Sequence, residues 1–288
     1  MLDVLAAPFV ACLVLAGIHC YLGIHVLMRE VVFVDLALAQ IAAMGAATAT
    51  LFGFAPDSGP GFAASLAFTL VGAAVFALGR FKDRRVPHEA VIGIVYAVSS
   101  ALAILVLSKS ATERGEVEHM LVGRLLFVDW PEIAKTALLY AAVAGAHIAF
   151  RKPFMRMSRA TADGTSPPGA RGWDFLFYAT FGAVVTSSVK MAGVLLVFSF
   201  LIVPAACAMM FYAAVRRRLI MGWVLGVAGG IIGLTASAIW DLPTGASVVA
   251  AFGVIFGVCA GVHGLAGRAP HVPAGAEKTT QHQAVRRF

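Results

Sequence analysis

Several side chains able to handle a cation fall inside stretches that are otherwise apolar. Asp35 and Gln40 share one such stretch, His19 and His25 lie in the one before it, His88 and Glu89 open a later one, and Asp241 closes another. A carboxylate in hydrocarbon stays charged only when a cation, a histidine or water compensates it. Carboxylate with imidazole is a donor set for a divalent transition metal, so Asp35 and His19 are the candidate metal ligands. Asp35 is either part of an ion pathway or a structural partner of His25 or Arg29. His19 is either a pathway residue or a hydrogen-bonded core histidine, and Gln40 belongs with the pathway candidates. Glu89 has a structural reading first, because an acid is favoured at a helix N-terminus. Asp241 serves equally as a turn residue or as a gate.

The elements that hold these residues are apolar stretches long enough to cross a bilayer. A helix rises about 1.5 Å per residue, so about 17–25 apolar residues span the hydrocarbon. Nine such stretches are readable: Ala7–Leu27, Val31–Leu51, Phe62–Leu78, Glu89–Leu107, Glu132–Phe150, Trp173–Val189, Ala192–Val215, Met221–Ile239 and Ser247–Gly264. The chain is 60% hydrophobic and 13% charged, with a mean hydropathy of +0.88. An all-α polytopic membrane protein is the expected class, with a permease domain over residues 1–266 and a disordered cytoplasmic tail over 267–288.

The basic residues orient it. Numbering the connections alternately puts 17 of the 22 Lys and Arg on one side and 5 on the other. By the positive-inside rule the N-terminus lies outside and the C-terminus inside. The net charge of +7 follows from that asymmetry beside anionic lipid and calls for no nucleic acid. The first apolar run has no basic segment before it and no small-residue cleavage site, so it reads as a retained span. With span one running inward and span two outward, His19 lies near the depth of Gln40, and His25 near that of Asp35. The apolar segment Met120–Val128, too short to span, is expected at the outer interface or re-entrant. Cys12, Cys20, Cys207 and Cys259 sit singly in apolar runs and read as buried small residues. Gly226 with Gly230, Gly229 with Gly233, and the series Gly253, Gly257 and Gly261 are spaced for close helix packing. Pro204, in mid-span, is read as an ordinary kink or as a break lining the pathway.

Four motifs, in order, resemble the zinc/manganese-type ABC importer permeases. Ser188–Ala206 (SVKMAGVLLVFSFLIVPAA) is similar to that family's K-A-V-G-x-L-L-V-x-x-L-L-I-x-P-A-A, and Glu89-Ala90-Val91-Ile92-Gly93-Ile94 to its E-S-x-I-G-I. Val122-Gly123-Arg124-Leu125-Leu126 resembles F-G-N-x-L, and Asp241-Leu242-Pro243-Thr244-Gly245 resembles D-x-P-T-G. The resemblance covers residues 10–264. It implies a type II importer-like membrane subunit in a bacterial inner membrane, with a second permease copy, a cytoplasmic ABC ATPase and an extracytoplasmic substrate-binding protein. The implied cargo is a divalent zinc, manganese or iron ion, with ATP on the partner subunit and no cofactor on this chain. No phosphate-binding G-x-x-x-x-G-K-[ST] occurs in the sequence.

Two departures stand out. The family's span two reads G-D-A-L-S-H-A-x-L-P-G, with Asp and His four apart on one face. Counting back from Gly45, Leu36 stands in the Asp position and Gln40 in the His position. Asp35 is next door, but five residues from Gln40 is about 140° around the helix. The family's acidic D-P-E-like segment before span six is replaced by the basic, apolar Arg151-Lys152-Pro153-Phe154-Met155-Arg156-Met157-Ser158-Arg159. Arg151, Phe154, Arg156 and Arg159 are its candidate contacts to an ATPase groove. A secondary transporter or channel without an ATPase, an ABC permease for a chelated or non-metal cargo, and a scaffold remain the alternatives. Nothing in the sequence assembles a nucleophile, base and oxyanion set, so an enzyme is not expected.

Overall fold

The computed structural model describes residues 2–79, 87–109, 125–162, 165, 167 and 169–266. Among these, the chain folds into ten α-helices and one short 3₁₀ turn, with no strand. The helices are α1 (Leu2–Met28), α2 (Val34–Thr50), α3 (Gly59–Leu78), α4 (His88–Leu107), α5 (Trp130–Ala149), α6 (Arg151–Ala162), α7 (Ala170–Ala192), α8 (Val194–Phe211), α9 (Val215–Trp240) and α10 (Thr244–Ala266). Each of the nine apolar stretches is helical. Seven helices (α1, α3, α4, α7, α8, α9 and α10) are long and apolar enough to cross a membrane on their own. α5 passes only together with α6, from which it is bent by 79°, and α2 at 17 residues is a shorter apolar helix.

Local chemistry sets several ends. Ser58 accepts from Gly61 N–H at 3.2 Å to start α3, and Asp129 accepts from Glu132 N–H at 2.8 Å to start α5. The expected seventh stretch begins two residues too early. Ala192 still belongs to α7, and Gly193, at φ +81°, makes the whole break before α8. A residue with a Cβ rarely adopts that backbone. α8 runs unbroken through Pro204, so the expected interruption there is absent.

The bundle has two packed groups. α1 lies against α8 and α9, with α10 closing on α8 and α9; α2 lies against α3, α4 and α7. The glycine spacing of α9 explains the first group. A Cβ on Gly226 would sit 3.1 Å from Ala16 Cβ, and one on Gly230 3.1 Å from Cys12 Cβ, both on α1. On its other side, Gly229 meets Phe252 and Gly233 meets the Val248 backbone of α10. Those two glycine pairs therefore close contacts within the chain, whereas Gly253, Gly257 and Gly261 of α10 have open space beside them. All four cysteines are buried and free.

Of the apolar segment Met120–Val128, only its last four residues are described. Leu125–Phe127 is a 3₁₀ turn, with Leu125 buried against the bundle. Residues 120–124, the Val122-Gly123-Arg124 part of the motif, the basic residues Arg80 to Arg85 and the tail 267–288 lie outside the described residues.

Candidate functional site

α2 is enclosed on most sides by α3, α4 and α7. Between Val34 and Ala49 only Leu36, Gln40, Met44 and Thr48 are half-exposed, and every other residue is buried. A spacing of four puts them on one stripe. The two positions that hold the Asp and His in the resembling family's pattern both fall on this single open face. Here they carry a hydrocarbon and an amide.

Asp35 is turned away from that stripe. It is 2% exposed, in the first turn of α2. Glu89, in the first turn of α4, lies at the same end of α2. Glu89 in turn reaches across to α2, where its Oε1 accepts from Phe33 N–H at 2.9 Å. Neither His25 nor Arg29 pairs with Asp35, so the structural alternative for Asp35 does not arise in this form. Arg29 Nη1 donates to Asp174 Oδ1 on α7 at 2.7 Å, and both side chains are buried. Ser158 of α6 joins them. Its Oγ accepts from Arg29 Nε at 3.0 Å and donates to His25 Nδ1 at 2.8 Å. The Arg29 guanidinium also lies 4.0 Å over the Phe177 ring, a cation–π contact.

His19 adopts the core reading. Its Nδ1 donates to Leu15 O at 2.9 Å. Its Nε2 lies 3.0 Å from the Ser188 hydroxyl of α7, which also bonds Val184 O and the Tyr140 hydroxyl of α5. Both ring nitrogens are occupied and the residue is fully buried. The similar depth expected of His19 and Gln40 does not bring them to one site, because α1 packs on α8 and α9 rather than along α2. Asp35 and His19 are therefore not brought together. Among the described residues, no group of three His, Cys, Asp or Glu side chains is placed to hold a metal ion.

The basic segment is a true amphipathic helix. α6 turns Arg151, Lys152, Arg156 and Arg159 outward and buries Phe154, Met157 and Ser158. Phe154 stacks on His147 of α5 with ring centres 4.1 Å apart and also touches Trp173 and Phe177. The expected ATPase contact through Phe154 is corrected by its complete burial: it anchors α6, and only the arginines face out. His147 is held as well, with Nε2 donating to Thr180 at 2.9 Å and Nδ1 accepting from Tyr21 at 3.3 Å.

Asp241 is exposed, in a left-handed conformation at φ +51°, and caps the C-terminus of α9. Aspartate tolerates that backbone better than most residues. Ser237 closes the turn by donating to Leu242 O at 2.7 Å, with Thr244 at 3.0 Å. Sequence reasoning did not single out Asp174, Ser158, Tyr140 or Ser188. Asp174 carried a readable signal, an acid just inside an apolar stretch, but its partner lies 145 positions away.

Long apolar helices with polar groups knitted between them define a multi-pass membrane protein. The sequence matches the model of the ABC 3 transport family over residues 1–262, and the chain belongs to that family. It is similar to the manganese transport system membrane protein MntC of Listeria innocua, 28% identical over 199 residues, which cover 65% of this chain and 69% of that one. A Haemophilus influenzae protein named "Probable iron transport system membrane protein" is 24% identical over 262 residues, 86% of this chain and 89% of its own. In fold the chain resembles PsaBC from Streptococcus pneumoniae, solved in complex with Fab. The TM-score is 0.72 at 20% identity, over 89% of this chain and 90% of that one.

Proposed function

We propose that this chain is the membrane-spanning permease subunit of an ABC importer for a divalent transition-metal ion. The observation that carries the reading is the open stripe of α2, which alone exposes the two positions where the family pattern has its ligands. Membership of the ABC 3 transport family and the manganese and iron named in its relatives support the cargo class. In this reading the chain crosses a bacterial inner membrane nine times. α2 and the bent α5–α6 pair supply two of the crossings, with the N-terminus outside. A second copy completes the pathway, an extracytoplasmic binding protein delivers cargo, and a separate cytoplasmic ATPase hydrolyses ATP. The outward arginines of α6 meet that ATPase.

The test is ATP-driven uptake of manganese, iron and zinc in vesicles that hold the chain with its ATPase. Gln40→Ala should reduce uptake at unchanged protein level. Leu36→Asp with Gln40→His, which restores the family pair, should raise metal affinity. Parent-like transport by Gln40→Ala together with no gain from the restored pair would remove α2 from the pathway. Orientation is tested with cysteine reporters: Arg159→Cys should label from the cytoplasm and Asp241→Cys from outside.

A further inference from the structure

At one end of the α2–α4 contact, two carboxylates each keep one buried oxygen without a donor among the described residues. Asp35 is almost fully buried, and its Oδ1 has no hydrogen-bond partner among the described residues. Glu89 uses Oε1 on Phe33 N–H, and its Oε2 is likewise buried and unpartnered. That bond holds Glu89 against the α2 backbone two residues before Asp35. Like charges in a low-dielectric site are held apart in energy unless something positive sits with them. Arg29, a buried cation of the bundle, is committed to Asp174. The vacant chemistry is that of a small, hard cation.

We propose that Asp35 and Glu89 form a divalent-cation site between the first turns of α2 and α4. It would take one carboxylate oxygen from each residue, with water completing the coordination shell. Oxygen-only ligation favours Mn2+ or Mg2+ over ions that seek sulfur and imidazole. Ions of that kind keep several waters and need only one or two carboxylates, which accords with the absence of a three-residue cage. Asp35 and Glu89 each lie in the first turn of their helix, so the positive ends of α2 and α4 temper the hold on a cation. A loose site suits an ion that must leave again. Its role as a stage on the transport path rests on the function proposed above; its capacity to bind does not.

The test is Mn2+ titration of the full-length chain in lipid nanodiscs, read by loss of the free-ion EPR signal. Asp35→Asn, Glu89→Gln and the double variant keep shape and leave an acceptor for Phe33 N–H. The parent should bind one Mn2+ per chain, each single variant at least tenfold more weakly, and the double variant not at all. In metal-free buffer the variants should melt at or above the parent temperature. No bound Mn2+ in the parent, parent-like binding by either single variant, or variants that melt lower would each overturn the site. Uptake measured in parallel separates the two readings. Binding without any ATP-driven metal uptake by the parent leaves the site standing and sinks the transport function. Uptake unchanged in a double variant that no longer binds overturns the site's place on the path.

Discussion

Two ends of the bundle treat buried charge in opposite ways. Where α1, α6 and α7 meet, Arg29 and Asp174 neutralise each other, Ser158 bridges Arg29 to His25, and Phe177 lies beneath the guanidinium. Only the donors His25 Nε2 and Arg29 Nη2 go unused there. Where α2 meets α4, Asp35 Oδ1 and Glu89 Oε2 are buried with no hydrogen-bond partner among the described residues. The first arrangement is complete without a ligand and holds the fold. The second is incomplete without one. Neutralised charge marks structure in this protein, and uncompensated charge marks the place where a cation can act.

That contrast breaks hardest at Arg29. Removing one partner of a buried pair strands the other charge and costs about 3–5 kcal/mol. Arg29→Met or Asp174→Leu alone should therefore cut the yield of folded protein and lower its melting temperature. The double variant should recover most of the loss, since an apolar pair is tolerated there. Thermal melting followed by size-exclusion chromatography reads all three. Ser158→Ala should cost about 1–3 kcal/mol, because it leaves His25 Nδ1 and Arg29 Nε unsatisfied. The same assay should place it between the parent and the single charge variants.

At the other end the sign reverses. Asp35→Asn removes an unpaired charge, so it should leave melting unchanged or raise it slightly while metal uptake falls. Equal destabilisation by Asp35→Asn and Asp174→Leu would erase the distinction between the two ends. The smallest effect on stability is expected on the outer face of α6. Arg156→Gln with Arg159→Gln should melt as the parent does and weaken only the complex with the ATPase, read by co-purification. An unchanged complex would detach α6 from coupling.

The contrast also separates what the sequence made legible from what it did not. Helix positions came through because an apolar run of about 20 residues has few other solutions. The α9 glycines were readable as packing faces, and the structure assigns one face to α1 and the other to α10. The α7–α8 break was legible to within a few residues, but Gly193 as its maker was not, since a single glycine among 29 carries no mark of its φ. Phe154 was placed in the right segment with the wrong direction. A 12-residue amphipathic helix shows which residues share a face, but not which face meets the bundle. The ion pair was missed because charge partners in a membrane protein are set by which helices pack together. α1 and α7 are far apart in sequence.

The distance between Arg29 and Asp174 bears on how the protein is made. α1 is synthesised well before its main packing partners, α8 and α9, and before the carboxylate that neutralises Arg29. During translation α1 must wait at the membrane with its arginine and histidines unshielded. Nascent chains that stop before α7 should be poor at staying inserted and should be cleared by quality-control proteases. Completion of α7 is then the step at which the growing chain commits to its place in the bilayer.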